Sequence, residues 1–455
     1  MAEIAPLRGI LYDEEKTGGM TNVVAPPYDV VSPDEQAEYH ASHPQNVLHI
    51  DLGARAPEDV HPYDWHVRAA YKFNNWLAEG YLVRHDKPAV YYNETDFTDP
   101  ATGQRRTRHG FVCLLRLEEF GADAKIRPHE RTFSEHKAER LHHMELVQAH
   151  LSQVFSVFPD EELKSIRVLR SARTGSPRYD FTDAKGQGHR LWTISNPDAL
   201  KSLVEIMREK TVYIADGHHR YETGLNYRRL KAREGVQIGP NSPLNYLLVY
   251  LCPVTDPGLA ILPAHRLIKR NLNMSREELE TAARKYFDVQ TFSFNSVDET
   301  SAREAFIRQL HQAGRTGNAL GLFTRLGSTY YLLKKKALAG NNGTALSTWP
   351  QLLRELDTVV LTSLVFQDIL GMTDEDLDDA SRIAYSSVID DALEMVHAGQ
   401  AELAAILNPT KMDQVQNVAE AGLVMPRKST FFFPKVTSGL VFNFLNPFEE
   451  IPPLL

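Results

Sequence analysis

Apolar and polar positions change period repeatedly along the chain, and each change marks an element. Residues 211–215, Thr-Val-Tyr-Ile-Ala, form an apolar, β-branched run that reads as a strand. The run delivers Asp216, Gly217, His218, His219 and Arg220 to a sharp turn. Beyond it, Tyr221, Leu225 and Leu230 recur with Glu222, Arg228 and Arg229 between them, which predicts an amphipathic helix opening directly from the turn. Strand, polar turn and helix follow one another without a spacer.

Further elements follow from the same reasoning. Ser32, Pro33 and Glu35 spell a capped helix start, with Asp29 held between it and the stiff corner of Pro26 and Pro27. Residues 45–52, QNVLHIDL, read as a strand, and Val67, Ala70, Tyr71, Phe73, Trp76 and Leu77 give a helical apolar stripe expected to face the core. PAVYYNETDF and RHGFVCLLRLEEF have period two and flank a polar turn, so a hairpin is expected over 88–119. IRVLRS and HRLWTI read as short strands, and ALKSLVEIMREK as a helix. NYLLVYLCPV through HRLI supplies one or two central strands ending at His265 and Arg266. A capping box at Ser275 and Glu278 opens a new helix, the strand VQTFSF, a second helix SAREAFIRQLHQAG and the strands ALGLFTRL and TYYLLKKK follow, and LAGNNGT punctuates the exit. The last third is largely helical and closes on the strand-like words AAIL, FFF and GLVF. The expectation is an α+β (mixed α/β) fold with mixed sheets and helices. It divides into an N-terminal core over 1–270, a small α/β insert over 271–345 and a helical and β region over 346–455.

Composition narrows the function classes. Hydrophobic residues make up 42% of the 455 and charged residues 24%, as expected for a soluble globular protein of two or three domains. The 50 basic and 59 acidic residues leave a formal charge of −9, so no overall basic field recruits nucleic acid or an anionic membrane. No apolar run approaches the roughly 20 residues needed to span a bilayer. The opening MAEIAPLRGI has no basic region followed by an apolar stretch, and a cytoplasmic protein is expected. Cys113 and Cys252 lie in apolar strand-like runs and are expected to be buried free thiols.

Candidate chemistry concentrates at the central turn. A helix start offers unpaired N–H groups and the positive end of the helix dipole, Gly217 permits close backbone approach, and Arg220 can fork onto phosphate oxygens. An anion is expected there. Upstream, Pro128, His129, Glu130 and Arg131 form a polar knot ahead of a helical stretch carrying Lys137 and Arg140. Glu130 reads either as a functional carboxylate or as a partner of Arg131 or Arg127. His129, His136, His143 and His150 recur every seven residues, but seven residues of helix rise about 10.5 Å. One zinc ion needs nitrogens at about 2 Å, so the helical histidines are not a metal ladder. His265 and Arg266 read equally as an anion site and as a solvated strand end, and Asp29 as a site carboxylate or a turn former. Lys428, Ser429, Thr430 and Lys435 set two cations and two hydroxyls around a proline loop; the word KST lacks the preceding GxxxxG of a phosphate-binding loop.

The words ADGHHRYETGLNYR, RPHERT, APPYDVVSP, NPTKM and MPRKSTFFFPK together identify a resemblance, over almost the full length, to an uncharacterised prokaryotic domain-of-unknown-function family, number 1015. The DGHHR box also resembles that of the ParB and sulfiredoxin superfamily, and especially its free-serine kinases. That resemblance implies a ParB/sulfiredoxin-like nucleotide-binding core, in which an upstream glutamate acts on the serine hydroxyl while the turn handles substrate and phosphates. Asp216, Gly217, His218, His219 and Arg220 match the box; Glu130 matches by type and by lying upstream. The first expectation is therefore a phosphotransferase moving a phosphoryl group from ATP or ADP, with Mg²⁺, to a small hydroxyl metabolite such as free L-serine. Glu130, Asp216 and His219 would be catalytic, with Asp216 on the metal or the substrate ammonium. Gly217, His218, Arg220, Lys428, Ser429, Thr430 and Lys435 would hold the nucleotide, and Asp29, His129, Arg131, His265 and Arg266 the substrate. The alternatives are a nucleotide-binding regulator or weak hydrolase with a protein partner, and a metal-dependent hydrolase.

Overall fold

The computed structural model describes residues 2–130, 134–295, 297–337 and 343–451, with the backbone alone at 134–136. Arg131 and the side chain of His136 lie outside the described residues. The chain folds as two compact units: Met1–Asp99, Gly103–Ala260 and Pro434–Leu455 form the first, Pro100–Thr102 and Ile261–Phe433 the second.

The first unit is built on a nine-stranded mixed sheet. Its strands are β1 (Ile4–Ala5), β2 (Val90–Thr98), β3 (Arg105–Arg116), β4 (Ile126–Arg127), β5 (Val154–Phe158), β6 (Tyr179–Thr182), β7 (Gly188–Ile194), β8 (Val212–Asp216) and β9 (Tyr246–Pro253). Their spatial order is β4-β8-β5-β9-β3-β2-β7-β6, with β1 added to β3. β8 runs parallel to β4 and β9 parallel to β5, and the other pairs are antiparallel. The hairpin expected over 88–119 is β2 and β3, paired from Tyr91 with Val112 to Thr98 with Arg105. Helices α1 (Pro33–Ser42), α2 (Asp64–Ala78), α3 (Ser134–Val147), α4 (Pro197–Met207) and α5 (His218–Arg233) belong to this unit. The Ser32 and Glu35 capping box opens α1 as expected.

Three local expectations differ from the fold. Leu48–Asp51 is a turn of helix, because Asn46 accepts from the N–H of Leu48 and starts a helical turn where the apolar run suggests a strand. Lys164–Ser171 is likewise helical: Asp160 accepts from the N–H groups of Lys164 and Ser165 and satisfies the helix start. On α2 the inward face is His66, Ala69, Phe73 and Trp76, which leaves Val67 and Tyr71 exposed at 58% and 69%.

The second unit has a six-stranded antiparallel sheet made of β10 (His265–Ile268), β11 (Phe287–Ser293), β12 (Ala319–Thr324), β13 (Thr329–Lys335), β14 (Ile383–Ser386) and β15 (Leu403–Leu407). The order is β11-β13-β12-β15-β10-β14. The pattern break near residue 345 falls inside this sheet, since β12 pairs with β15 across it; local periodicity carries no record of so distant a pairing. Both faces are covered. Leu403, Ala405 and Leu407 pack with helix α6 (Arg276–Tyr286) and residues 357–369, while Ala404 and Ile406 pack with α7 (Glu299–Gly314) and α8 (Ile389–His397). Helix α9 (Met412–Glu420) follows β15. His265 and Arg266 open a strand rather than close one.

After the second unit, residues from 434 onward return to the first. Ile10 bridges Phe442, Ala25 bridges Ser438, and Gln153 Nε2 donates to the carbonyl of Val441 at 3.0 Å. Phe442 is fully buried, its ring 5.6 Å from that of Tyr12 and 6.3 Å from that of Phe73. Phe442→Ala should destabilise the first unit by about 3–5 kcal/mol in urea denaturation, and a loss under about 1 kcal/mol would mean the return segment is not part of the core.

Candidate functional site

The site begins with an interrupted strand. Val212 and Ile214 point into the apolar core, and a strict period of two would send Asp216 after them. Instead the register of β8 against β5 shifts between Ile214 and Asp216, so that Asp216 lies opposite Phe155. Such an irregularity re-aims a side chain. Gly217 follows at φ +91°, in the left-handed region, and is the N-cap of α5. A Cβ there would lie 2.9 Å from the guanidinium carbon of Arg220, so glycine is needed for both conformation and space.

Asp216 then meets two cations. One carboxylate oxygen accepts from Arg220 Nη2 at 2.6 Å and the other from the ammonium of Lys435, which arrives on the returning segment. Burial works to raise the Asp216 carboxyl pKa, but Lys435 and Arg220 together outweigh it and hold the group below the usual carboxylate range. Arg220 also donates Nη1 to the carbonyl of Gln153 and lies 3.5 Å from Asp29 Oδ2. The guanidinium expected to fork onto a phosphate is thus engaged by protein atoms, with Nε buried and unbonded.

His218 links this clamp to the upstream knot. Its Nε2 accepts the N–H of His129 at 3.3 Å, its Nδ1 lies 4.0 Å from Glu130 Oε2, and the two imidazoles meet edge to face at 4.8 Å. Burial pushes the pKa of His218 well down and that of His129 down to about 4, so both rings are neutral near pH 7. Arg127, the other partner considered for Glu130, donates to the carbonyls of Gly121 and Ala122. His219 stands beside His218 on the first turn of α5.

Behind Arg220 lies a small cavity of about 40 Å³ that sequence reasoning missed. Arg140 reaches Asp51 at 2.7 Å and stacks on Tyr28 at 3.9 Å, while Tyr28 lies 6.0 Å from Arg220 on its other contact. The available signal was Tyr28, next to Asp29, and Arg140, one helical face along from Lys137. Their partner Asp51 sits in the segment read as a strand. The histidine series divides among separate partners: His143 Nε2 donates to the carbonyl of Ile50 and His150 pairs with Asn443.

The structure therefore brings Asp29, His129, Glu130, Asp216, Gly217, His218, His219, Arg220 and Lys435 together in the first unit. His265, Arg266, Lys428, Ser429 and Thr430 belong to the second. There, His265 Nδ1 accepts the N–H of Leu407, Arg266 holds the carbonyl of Lys428 at 3.1 Å, and Ser429 donates to the carbonyl of Pro426. Among the described residues, no three His, Cys, Asp or Glu side chains gather as a metal-ligand set.

The chain belongs to the family described as "Protein of unknown function (DUF1015)", whose model matches residues 4–359. No functionally curated protein matches its sequence. Among solved structures it is similar to a free serine kinase in complex with AMP, at 12% identity over 68% of this chain and 83% of that one, with a TM-score of 0.32. A conserved hypothetical protein from Pyrococcus furiosus is similar at 11% identity over 70% and 94% of the two chains, TM-score 0.32. So is SbnI with a C-terminal truncation, from Staphylococcus aureus, at 11% over 75% and 87%, TM-score 0.30. Likenesses this distant transfer neither residues nor activity.

The neutral imidazoles set a pH dependence. An unfolded histidine titrates near 6.5 and folded His129 at about 4, so between these values the unfolded chain alone takes the proton. The stability from His129 is complete above about pH 6.5 and falls as pH falls toward about 4. His129→Gln should flatten that part of a stability profile measured by urea denaturation; an unchanged slope would mean His129 is not held neutral.

Proposed function

We propose that the chain is a nucleotide-dependent phosphotransferase acting on a small hydroxyl-bearing metabolite, with free L-serine the first candidate. The observation that carries this reading is the meeting of Glu130 with His218, distant in sequence, at a turn that also holds Asp216, Arg220 and Lys435. Phosphoryl transfer asks for positioning and charge neutralisation more than for covalent chemistry, and this arrangement supplies both.

The residues fit a nucleotide's phosphates. Gly217 adds no side chain of its own at the first turn of α5, and the helix start presents N–H groups and a positive dipole end. Lys435 is the cation on Asp216 that can turn to the phosphates without breaking the bond of Arg220 to the carbonyl of Gln153, the residue just ahead of β5. The nucleotide supplies the transferable phosphoryl group. A protein-held Mg²⁺ fits less well, because each oxygen of Asp216 already faces a cation. Yet among the described residues at the turn Asp29, Glu130 and Asp216 outnumber Arg220 and Lys435, and the imidazoles of His129 and His218 are neutral. Mg²⁺ would arrive on the nucleotide.

Within this reading Glu130, about 30% exposed, takes the proton of the acceptor hydroxyl. Neutral His218 lies 4.0 Å from Glu130 without a full charge to neutralise it, and His219 is the candidate donor to the moving phosphoryl oxygens. Asp216 fixes Arg220 and Lys435, and Asp29 is a candidate for the substrate's ammonium.

Phosphorus NMR of the protein with ATP, ADP or pyrophosphate and L-serine or other small alcohols tests the proposal. The expected result is acceptor-dependent phosphoryl transfer that Glu130→Gln slows by about 10²–10⁴-fold, with nucleotide affinity little changed. Nucleotide binding without transfer to any alcohol would instead indicate a nucleotide-binding regulator.

A further inference from the structure

The second unit has a polar cavity of about 310 Å³, lined by three stretches of chain. Asn318 comes from the approach to β12, Asp357 from the start of a helical segment, Asn408 and Lys411 from the loop after β15, and Gln414 from the first turn of α9. The volume is at the lower end of the range that holds small metabolites.

Its arrangement is fixed from several sides. Asn318 Nδ2 donates to Asp357 Oδ1 at 2.8 Å and to the carbonyl of Glu355 at 2.9 Å. Asn408 Nδ2 donates to the carbonyl of Ala319 at 3.1 Å, and a Cβ on Gly314 would lie 2.3 Å from that nitrogen, so the glycine makes room for Asn408. Gln414 Oε1 accepts the N–H of Lys411 at 2.9 Å, which holds the exposed lysine at the mouth. Asn318 hydrogen-bonds Asp357, the neutral Asn408 amide and the backbone N–H of Ala319 also favour its charged form, and the cations Lys411 and Lys335 act on it through space. Burial drives this carboxyl up and those neighbours pull it only part of the way back, which leaves it at about 6. A carboxylate served by neutral amides, in a cavity with a lysine at its edge, is suited to a ligand bearing one positive and one negative group.

We infer that this cavity is a second ligand site, taking a free α-amino acid with its ammonium on Asp357 and its carboxylate toward Lys411. The inference does not rest on the phosphotransferase reading. It gives a role to the word NPTKM, whose Asn408 and Lys411 have none at the DGHHR turn.

Calorimetric titration of the full chain with glycine, L-serine, L-glutamate and L-lysine tests it. At least one should bind saturably, and Asp357→Asn should weaken that binding about tenfold or more while leaving ADP affinity unchanged. If Asp357→Asn does not fold by circular dichroism, Lys411→Glu on the exposed rim should weaken the same amino acid about fivefold. No binding by the wild type to any of the four would overturn the inference. So would affinity unchanged in Asp357→Asn, or, where that variant does not fold, in Lys411→Glu.

Discussion

One carboxylate shared between two cations holds the candidate site together. Asp216 ends a strand, Arg220 sits one helical turn later, and Lys435 comes from a segment that has travelled through the second unit and back. A buried carboxylate with a single partner would be costly; with two it stays ionised, and each cation is fixed at the same time. The register shift in β8 and the left-handed Gly217 both serve this contact, one by turning Asp216 out of the apolar core and the other by letting Arg220 fold back beneath the turn. Asp29, Gln153 and the Tyr28 and Arg140 pair then gather around Arg220.

This dependence explains what the sequence made legible. The central turn could be read because its acid, glycine, histidines and arginine are contiguous, and a strand-to-helix junction gives such residues a chemical reason to be together. Glu130 could be named by type, but its approach to His218 depends on β4 running beside β8, a parallel pairing between segments far apart in the chain. Asp51 was hidden by a local misreading: the apolar run around it suggested a strand, whereas the chain makes a turn of helix there, with Asn46 accepting from the N–H of Leu48. In the apolar stripe of α2, Phe73 and Trp76 face the core as expected, while His66 and Ala69 take the places expected of Val67 and Ala70, since period alone does not say which of two adjacent positions meets the core. A boundary was expected at 345, but the strands on either side of it pair.

The two units place different demands on their polar residues. In the first, charges are matched to charges, and the histidines near them are kept neutral by burial. In the second, Asp357 has the amide of Asn318 as its hydrogen-bond partner, and Lys411 and Lys335 act on it only through space. Lys428, Ser429 and Thr430 lie in a loop whose backbone Arg266 secures and whose serine is internally bonded, so its sequence likeness to a phosphate-binding loop has a structural explanation.

The account turns on the first turn of α5 being an anion cradle tied to Asp216, and a crystal structure with ADP bound tests it most directly. The account predicts phosphate oxygens within hydrogen-bonding distance of the N–H groups of residues 218–220, with Lys435 turned toward them and Arg220 still on Asp216. Ordered ADP held elsewhere on the chain, with that turn unchanged, would contradict it.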